Sequence, residues 1–454
     1  MRLVALYVAY FCLIAALVVP APILYDSDSY YHLAVSRLYA TDGVTAKIPW
    51  ARMSVIGDGG DKDFLFHVAL MPFARFGALG GRIALALINA LLATIIGVVA
   101  MRSIGLVGAM VPLWLWIAAP PFLGRVLRLR PELFALLIIL LAVIPSHAYG
   151  DEPPGKRRGL FLALLAWAFT LSYTAFHVFL LLCVLWWIRD RYPIHYPFLG
   201  TILGLAIRPH PAANLRLWYV QNVEFFLHKS TLDVGNEITP PDAWYFVSAI
   251  FFFIALFVLK PKLRTWRTLV AAAVFVLLFF FMSRMAVYAF PLVALAAVVD
   301  AKPAPRRHAL AFAICTLLAL PFAMGSTAVN LLRMRVQPER EWSAFGRAVP
   351  PGAKVAADWE SSEHYAFFAP QGRYLNVLDP TFMALPHPAE YAALRRVMSG
   401  DDPDPATTIA TTLDSDYIAY SAVDCPRSLN DRVHNDPKFT ILRDGINVLA
   451  RVRR

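Results

Sequence analysis

Two carboxylates, Asp26 and Asp28, stand in the run Tyr25-Asp26-Ser27-Asp28-Ser29-Tyr30-Tyr31-His32-Leu33, directly after the first long apolar stretch of the chain. A carboxylate at the end of such a stretch avoids hydrocarbon yet stays at the membrane surface, where it can take a proton from a hydroxyl or position it. The plain alternative is a solvated loop start, with Tyr25, Tyr30 and Tyr31 forming an interfacial aromatic belt. A second acidic group, Asp58, Asp61 and Asp63, is set among Gly57, Gly59 and Gly60 and precedes Phe64-Leu65-Phe66-His67, an expected interfacial helix. Such a turn can bind a hard cation such as Mg or Mn, or simply be solvated; His67 reads as structural. His177 lies on an apolar face near an expected turn and reads either as a satisfied core histidine or as an intramembrane ionisable candidate. Among the cations, Arg125, Arg128 and Arg130 cluster between Pro121 and Pro131 in a short loop expected on the outer side. That placement runs against the positive-inside bias, and bidentate contacts to phosphate would give the violation a purpose.

The elements that must position these groups follow from composition. The apolar fraction is 59% and the charged fraction 16%, more apolar and less charged than a soluble domain. Apolar runs such as Val270 to Met282 point to bilayer spans. The net charge of +11 sits mostly in short clusters between these runs, as positive-inside topology requires, so nucleic-acid binding is not expected. Cys12, Cys183 and Cys315 lie in apolar runs and only Cys425 in a soluble stretch, which leaves no disulfide framework or metal quartet.

Spans are expected over Leu3–Leu24 (uncleaved, with cleavage after Ala21 as the alternative), Ile83–Met101, Ile104–Ala119, Glu132–Ile144, Pro197–Ile207, Trp244–Leu259, Leu269–Met282, Ala286–Val299 and Ala309–Met324. Gly159 to Ile188 would be about 45 Å long as one helix, too long for one crossing, and both its ends are basic. A hairpin of two short helices turning near Ser172–Thr174 satisfies both facts, with one tilted helix as the alternative. The result is an α-helical polytopic membrane protein of about eleven transmembrane helices. Its first 329 residues form the membrane domain with a large external loop over residues 25–82, and residues 330–454 form a soluble extracytoplasmic α/β domain. Strands are expected at Lys354–Ala357, Tyr374–Leu378, Asp416–Ser421, Thr440–Arg443 and Ile446–Val452, the last two a hairpin around Asp444-Gly445.

Asp28 followed by Tyr30-Tyr31-His32-Leu33, just after the first span, resembles the first acidic motif of the integral-membrane GT-C glycosyltransferases. The likeness is strongest to the catalytic subunit of oligosaccharyltransferases and related polyprenyl-phosphate-sugar-dependent transferases. It implies a GT-C fold, an inverting transfer, and Asp28 as the catalytic carboxylate, with Asp26 as the alternative and Tyr31 and His32 beside the substrate. Ser283-Arg284-Met285-Ala286-Val287-Tyr288 is similar to the family's late Arg–aromatic–Tyr segment, which implies that Arg284 contacts the donor phosphate. Glu237 could stand for the external-loop Glu of the family. Glu132 sits where a second acidic motif would fall, without its paired carboxylate. Asp28, Glu132 and Glu237 would then be the metal ligands, for Mg or Mn. Val355-Ala356-Ala357-Asp358-Trp359-Glu360 stands in place of the family's Trp-Trp-Asp-Tyr-Gly signature and does not match it, which puts protein N-glycosylation in doubt.

Beside the resemblance, transfer from a polyprenyl phosphate or diphosphate needs a base or positioning carboxylate and positive charge for the leaving phosphate. Asp28 answers the first need, and Arg125, Arg128, Arg130 and Arg284 the second. The expected function is therefore a membrane glycosyltransferase at the outer face of the cytoplasmic membrane, with a polyprenyl-linked sugar donor, a glycan, lipid or protein acceptor, and the lipid bilayer as surroundings. Two other readings are a transporter or flippase of a lipid-linked sugar and a non-catalytic member of a glycan-assembly complex. The absence of an internal repeat and the place of the acidic run at the outer interface weigh against a transporter.

Overall fold

The computed structural model describes residues 2–144, 155–229, 238–258, 266–298 and 338–453, with a few isolated positions between them. The chain divides into two compact units: Met1–Pro20, Arg82–Ala206 and Gly235–Arg335 form one, and Ala21–Gly81, Ile207–Val234 and Val336–Arg454 the other.

The first unit is helical. Its helices are Arg2–Val18, most of Gly77–Ile104, Val111–Ala118, Pro120–Val126, Glu132–Val143, Lys156–Ser172, Phe176–Asp190, His195–Ile207, Ala243–Val258, Trp266–Phe281 and Ala286–Val298. Leu17, Leu164, Ile202 and Leu277 are each more than half exposed, so these helices present apolar side chains outward as well as inward, as lipid-facing helices do. By length and composition one described helical run, Gly77–Ala118, is long enough to cross a membrane, and the other apolar helices have 10–17 residues. That run is not straight. Gly105 adopts a left-handed φ of +69°, and a Cβ on Gly108 would lie 2.3 Å from the carbonyl carbon of Ala100. Residues eight apart in a continuous helix are about 12 Å apart, so the chain reverses here, between the expected spans Ile83–Met101 and Ile104–Ala119. The expected hairpin within 159–188 is also present. Helix Lys156–Ser172 ends where an extended Tyr173 interrupts it, helix Phe176–Asp190 returns, and Phe169 stacks on Phe179 across the turn at 5.1 Å. The expected span Ala309–Met324 lies outside the described residues, apart from isolated positions.

The second unit is α/β. Strands β1 (Lys354–Ala356), β2 (Arg373–Tyr374), β3 (Tyr417–Ser421), β4 (Phe439–Arg443) and β5 (Asn447–Val452) form one sheet of order β2-β1-β3-β5-β4. β1 runs parallel to β2 and β3, while β3–β5 and β4–β5 are antiparallel. The β4–β5 hairpin turns at Asp444-Gly445 and carries a bulge between Ile441 and Arg443. Leu375, Met383, Val397, Ile409, Ile418 and Val448 are fully buried in its core; each large side chain among them contributes roughly 1.5–3 kcal/mol by leaving water. The loop after the first helix belongs to this unit and extends the sheet edge. The Tyr374 amide donates to Trp50 O at 2.9 Å, and the Arg52 and Met53 amides donate to Tyr374 O and Leu375 O at 3.0 and 2.9 Å. Pairing of this kind covers an edge that would otherwise expose unpaired backbone groups.

Candidate active site

Helix Ser27–Asp42 begins at Asp26, which is extended at the N-cap (φ −155°, ψ 141°), so Asp28 falls in the first turn. There the helix dipole favours a negative charge. The same helix packs against Trp359–Phe368 of the same unit. Tyr30 lies 4.9 Å from the His364 ring, 5.5 Å from Phe367 and 5.3 Å from Phe368. Its hydroxyl donates to Glu339 Oε1 at 3.0 Å and accepts from the Leu24 amide at 3.0 Å. Tyr30 and Tyr31 are therefore core residues, not an interfacial belt.

The packing brings Glu363 toward Asp28. Glu363 is fully buried, and burial together with the Asp28 charge pushes its carboxyl well above the usual range. Of the two carboxyls, Glu363 is the one that burial disposes to keep its proton, while Asp28 is half-buried at a helix N-terminus. Two carboxyls with different environments are how one site supplies both acid and base. Sequence reasoning missed Glu363. The only local signal was an acidic residue in Ser361-Ser362-Glu363-His364, inside a helix that Asp358 caps by accepting from the Ser361 amide at 2.7 Å.

A second cluster lies on the same helix and on Phe64–Ala74. Asp61 Oδ2 is 2.8 Å from His67 Nδ1 and accepts from the Tyr39 hydroxyl at 2.8 Å, while its Oδ1 accepts from the Asp63 amide at 2.9 Å. His67 Nε2 is 2.8 Å from His32 Nδ1. Burial alone would raise Asp61, but His67's charge and hydrogen bond, with those of Asp63 and Tyr39, bring its carboxyl below the usual range. Asp63 is pushed up to about 6, first by burial and then by Asp61, against the lowering charges of Lys62, His67 and Arg208. Buried Arg208 donates to the carbonyls of Asp61 and Lys62 at 3.4 and 3.3 Å. Tyr31 joins the two groups. Burial and then Asp61, Asp63, Glu363 and Asp28 all raise its phenol well above its ordinary value, so it remains a neutral hydroxyl among four carboxyls. Asp58, by contrast, is exposed and pairs with Arg216 at 3.0 Å.

In the helical unit the expected loop between Pro121 and Pro131 is partly helix, Pro120–Val126, with prolines suited to its first positions. Arg125 and Arg130 are buried, and Arg125 Nη2 lies 2.6 and 2.8 Å from the two oxygens of buried Glu132. Arg284 occupies the turn Ser283–Met285 between helices Trp266–Phe281 and Ala286–Val298. The Ser283 amide donates to Thr239 O at 2.9 Å, and Tyr288 stacks on Phe275 at 4.6 Å. Glu237 lies outside the described residues.

Neither a family model nor a curated protein matches the sequence. Solved structures do. ArnT from Cupriavidus metallidurans bound to undecaprenyl phosphate is similar with a TM-score of 0.55 and 14% identity, over 98% of this chain and 97% of that one. Its apo state gives 0.54, with the same identity and coverage. The archaeal oligosaccharyltransferase AglB from Archaeoglobus fulgidus, in complex with an inhibitory peptide and a dolichol-phosphate, gives 0.55 at 11% identity, over 91% of this chain and 69% of that one. The chain has the GT-C glycosyltransferase fold. The likeness is one of fold, since so few residues are shared. The GT-C fold agrees with what the Asp28-Ser29-Tyr30-Tyr31-His32-Leu33 run implied. Within its α/β unit Asp26, Asp28, Tyr31 and His32 come together with Glu363, Asp61, Asp63 and His67. Arg125, Arg128, Arg130, Glu132 and Arg284 belong to its helical unit.

Proposed function

We propose that this chain is an inverting glycosyltransferase of the cytoplasmic membrane that uses a polyprenyl-phosphate- or diphosphate-linked sugar. Asp28 would be its base or acceptor-positioning carboxylate. One observation carries the reading: a half-buried Asp28 beside a buried Glu363 whose carboxyl is pushed well above the usual range, in a fold shared with a protein bound to undecaprenyl phosphate. In the proposed step an acceptor hydroxyl attacks the anomeric carbon from the side opposite the donor phosphate. The new C–O bond forms as the bond to the phosphate oxygen breaks, that electron pair stays on the phosphate, and the hydroxyl proton passes to Asp28. A single displacement of this kind inverts the anomeric centre. Arg284, with Arg125, Arg128 and Arg130, would offset the charge that develops on the leaving phosphate. Glu237 would act from the external loop. The loop over 25–82 and the α/β segment after 330 would lie outside the cytoplasm.

The test uses purified full-length protein, a radiolabelled polyprenyl-linked sugar and liposomes. Label transferred to an acceptor hydroxyl, with release of the polyprenyl phosphate, is the expected result. Movement of intact donor between leaflets with no transfer would replace this reading with that of a flippase.

A further inference from the structure

We infer that His32, Asp63 and His67 form a binding site for one divalent cation of the zinc class. The three side chains are buried, and each offers one ligand atom, two ring nitrogens and a carboxylate oxygen, all within 4.8 Å of one another. Two imidazoles and one carboxylate suit zinc and similar borderline ions, whereas Mg takes oxygen ligands and keeps several waters. The site therefore differs in chemistry from the all-carboxylate Mg or Mn set that the sequence suggested at Asp28, Glu132 and Glu237.

The second observation is the state of Asp63. Its side chain is 1% exposed, and neither carboxylate oxygen has a hydrogen-bond partner among the described residues. A buried carboxylate without partners is costly and rare. Its neighbour Asp61 is fully engaged, by His67, the Tyr39 hydroxyl and the Asp63 amide, and its own amide donates to Asn214 Oδ1 at 2.9 Å. Asp61 thus supports the site while Asp63 brings a carboxylate oxygen within 4.8 Å of a ring nitrogen of each histidine.

The support is of the kind metal ligands use. With Asp61 2.8 Å from Nδ1, the neutral form of His67 carries its proton there and has its Nε2 lone pair toward His32. A carboxylate behind a ligating histidine fixes ring orientation and raises the ligand's basicity. Asp63 stands at the N-cap position of helix Phe64–Ala74 without a side-chain cap bond and His67 lies one turn in, so i,i+4 spacing brings them to one face, with His32 on helix Ser27–Asp42. At bond lengths of about 2.0–2.2 Å a tetrahedral ion separates its ligand atoms by roughly 3.3 Å. The imidazole nitrogens, now 2.8 Å apart, need to part by about half an ångström on that geometry. The proton they share is displaced, to His32 Nε2 or to solvent.

The experiment is a titration of full-length, chelator-stripped protein in detergent with Co²⁺ as an optical stand-in for Zn²⁺. The wild type should bind one equivalent with visible ligand-field absorption, bleached by Zn²⁺ and untouched by Mg²⁺. Asp63→Asn and His67→Gln should abolish the band. Asp61→Asn should weaken binding about 10- to 100-fold, and Asp58→Asn should change nothing. Asp63→Asn keeps the side chain's shape and removes a buried charge. Should either ligand variant fail to fold, the wild type's own melting temperature decides, since it must rise with Zn²⁺ and fall on chelation. No band in the wild type, an unchanged band in both ligand variants, or a melt indifferent to Zn²⁺ would overturn the site. Transfer is not the readout, so loss of this inference leaves the glycosyltransferase proposal standing, and the reverse also holds.

Discussion

In the helical unit the buried carboxylate Glu132 has a nitrogen of Arg125 at 2.6 and 2.8 Å. In the α/β unit the equally buried Glu363 and Asp63 have other carboxyls, a phenol and imidazoles for neighbours. The first arrangement is neutral as it stands, and removing one partner is what makes it costly. In the second, Lys62, His67 and Arg208 act on Asp63 without bringing its carboxyl back to the usual range, and Glu363 is raised by burial and by Asp28 and Asp26. A fold keeps such an imbalance where a proton, a cation or a substrate completes it. The helical unit thus balances its buried charge internally, while the α/β unit keeps buried carboxyls that a proton or a cation can complete.

The comparison breaks first, and with the largest effect, at Asp28. If the α/β unit supplies the base, Asp28→Asn lowers transfer about 10²- to 10⁴-fold with little change in melting temperature, and Asp26→Asn costs much less. Glu363→Gln, which mimics the protonated carboxyl, should retain more activity than Glu363→Ala. Reversed effects of the two aspartate variants would move the base to Asp26. Near-normal turnover in the Asp26→Asn, Asp28→Asn double variant would remove catalysis from this unit altogether.

The helical unit should respond in stability. Arg125→Met or Glu132→Leu alone strands a buried charge and should cost about 3–5 kcal/mol, read as a fall in thermal unfolding of the detergent-solubilised protein. The double variant should regain most of that loss. If it also regains transfer, the pair is architecture; if it melts normally and fails to use donor, Arg125 belongs to the phosphate field. A single variant with a wild-type melt would show that this unit does not depend on its buried pair, and the contrast with the α/β unit would fail.

Local physics made the elements legible and left their pairing hidden. Charge at both ends of 159–188 was enough to place a turn near Ser172–Thr174, where Tyr173 interrupts the helix. Alternation and Asp444-Gly445 were enough to place five strands within a few residues of β1 to β5. Tyr30 and Tyr31 were misread as candidates for a belt because only tertiary packing distinguishes a tyrosine against Phe367 from one against lipid headgroups. His67 read as structural because its value lies in a contact with His32 that no local pattern announces. Glu363 was missed for the same reason. Its helix is ordinary, and what raises its pKa is burial beside a residue from the far end of the chain. Arg125, Arg128 and Arg130 stood out because the expected topology set them against a charge rule, yet the ion pair of Arg125 to Glu132 could not be read from that.

The smallest effect is expected where a carboxylate of the α/β unit lies at the surface. Asp404 caps helix Pro405–Thr411, accepting from the Thr407 amide at 3.2 Å and its hydroxyl at 2.8 Å, and from Lys438 Nζ at 2.6 Å. The Lys438 hydrogen bond first, and those from Thr407 next, hold its carboxyl down at about 2. A carboxyl depressed in the folded state stabilises above its ordinary pKa of about 4, and that contribution is lost as the pH falls through about 2. Asp404→Ala should therefore cost about 1 kcal/mol at neutral pH, chiefly through the lost cap, because solvent screens an exposed ion pair. The gap to wild type should narrow as unfolding is repeated from pH 5 down toward 2. Asp404→Asn, still a good cap, should lie close to wild type throughout. If Asp404→Ala instead costs as much as stranding Arg125 or Glu132, then burial does not separate the charges that matter from those that do not, and the contrast between the units loses its physical basis.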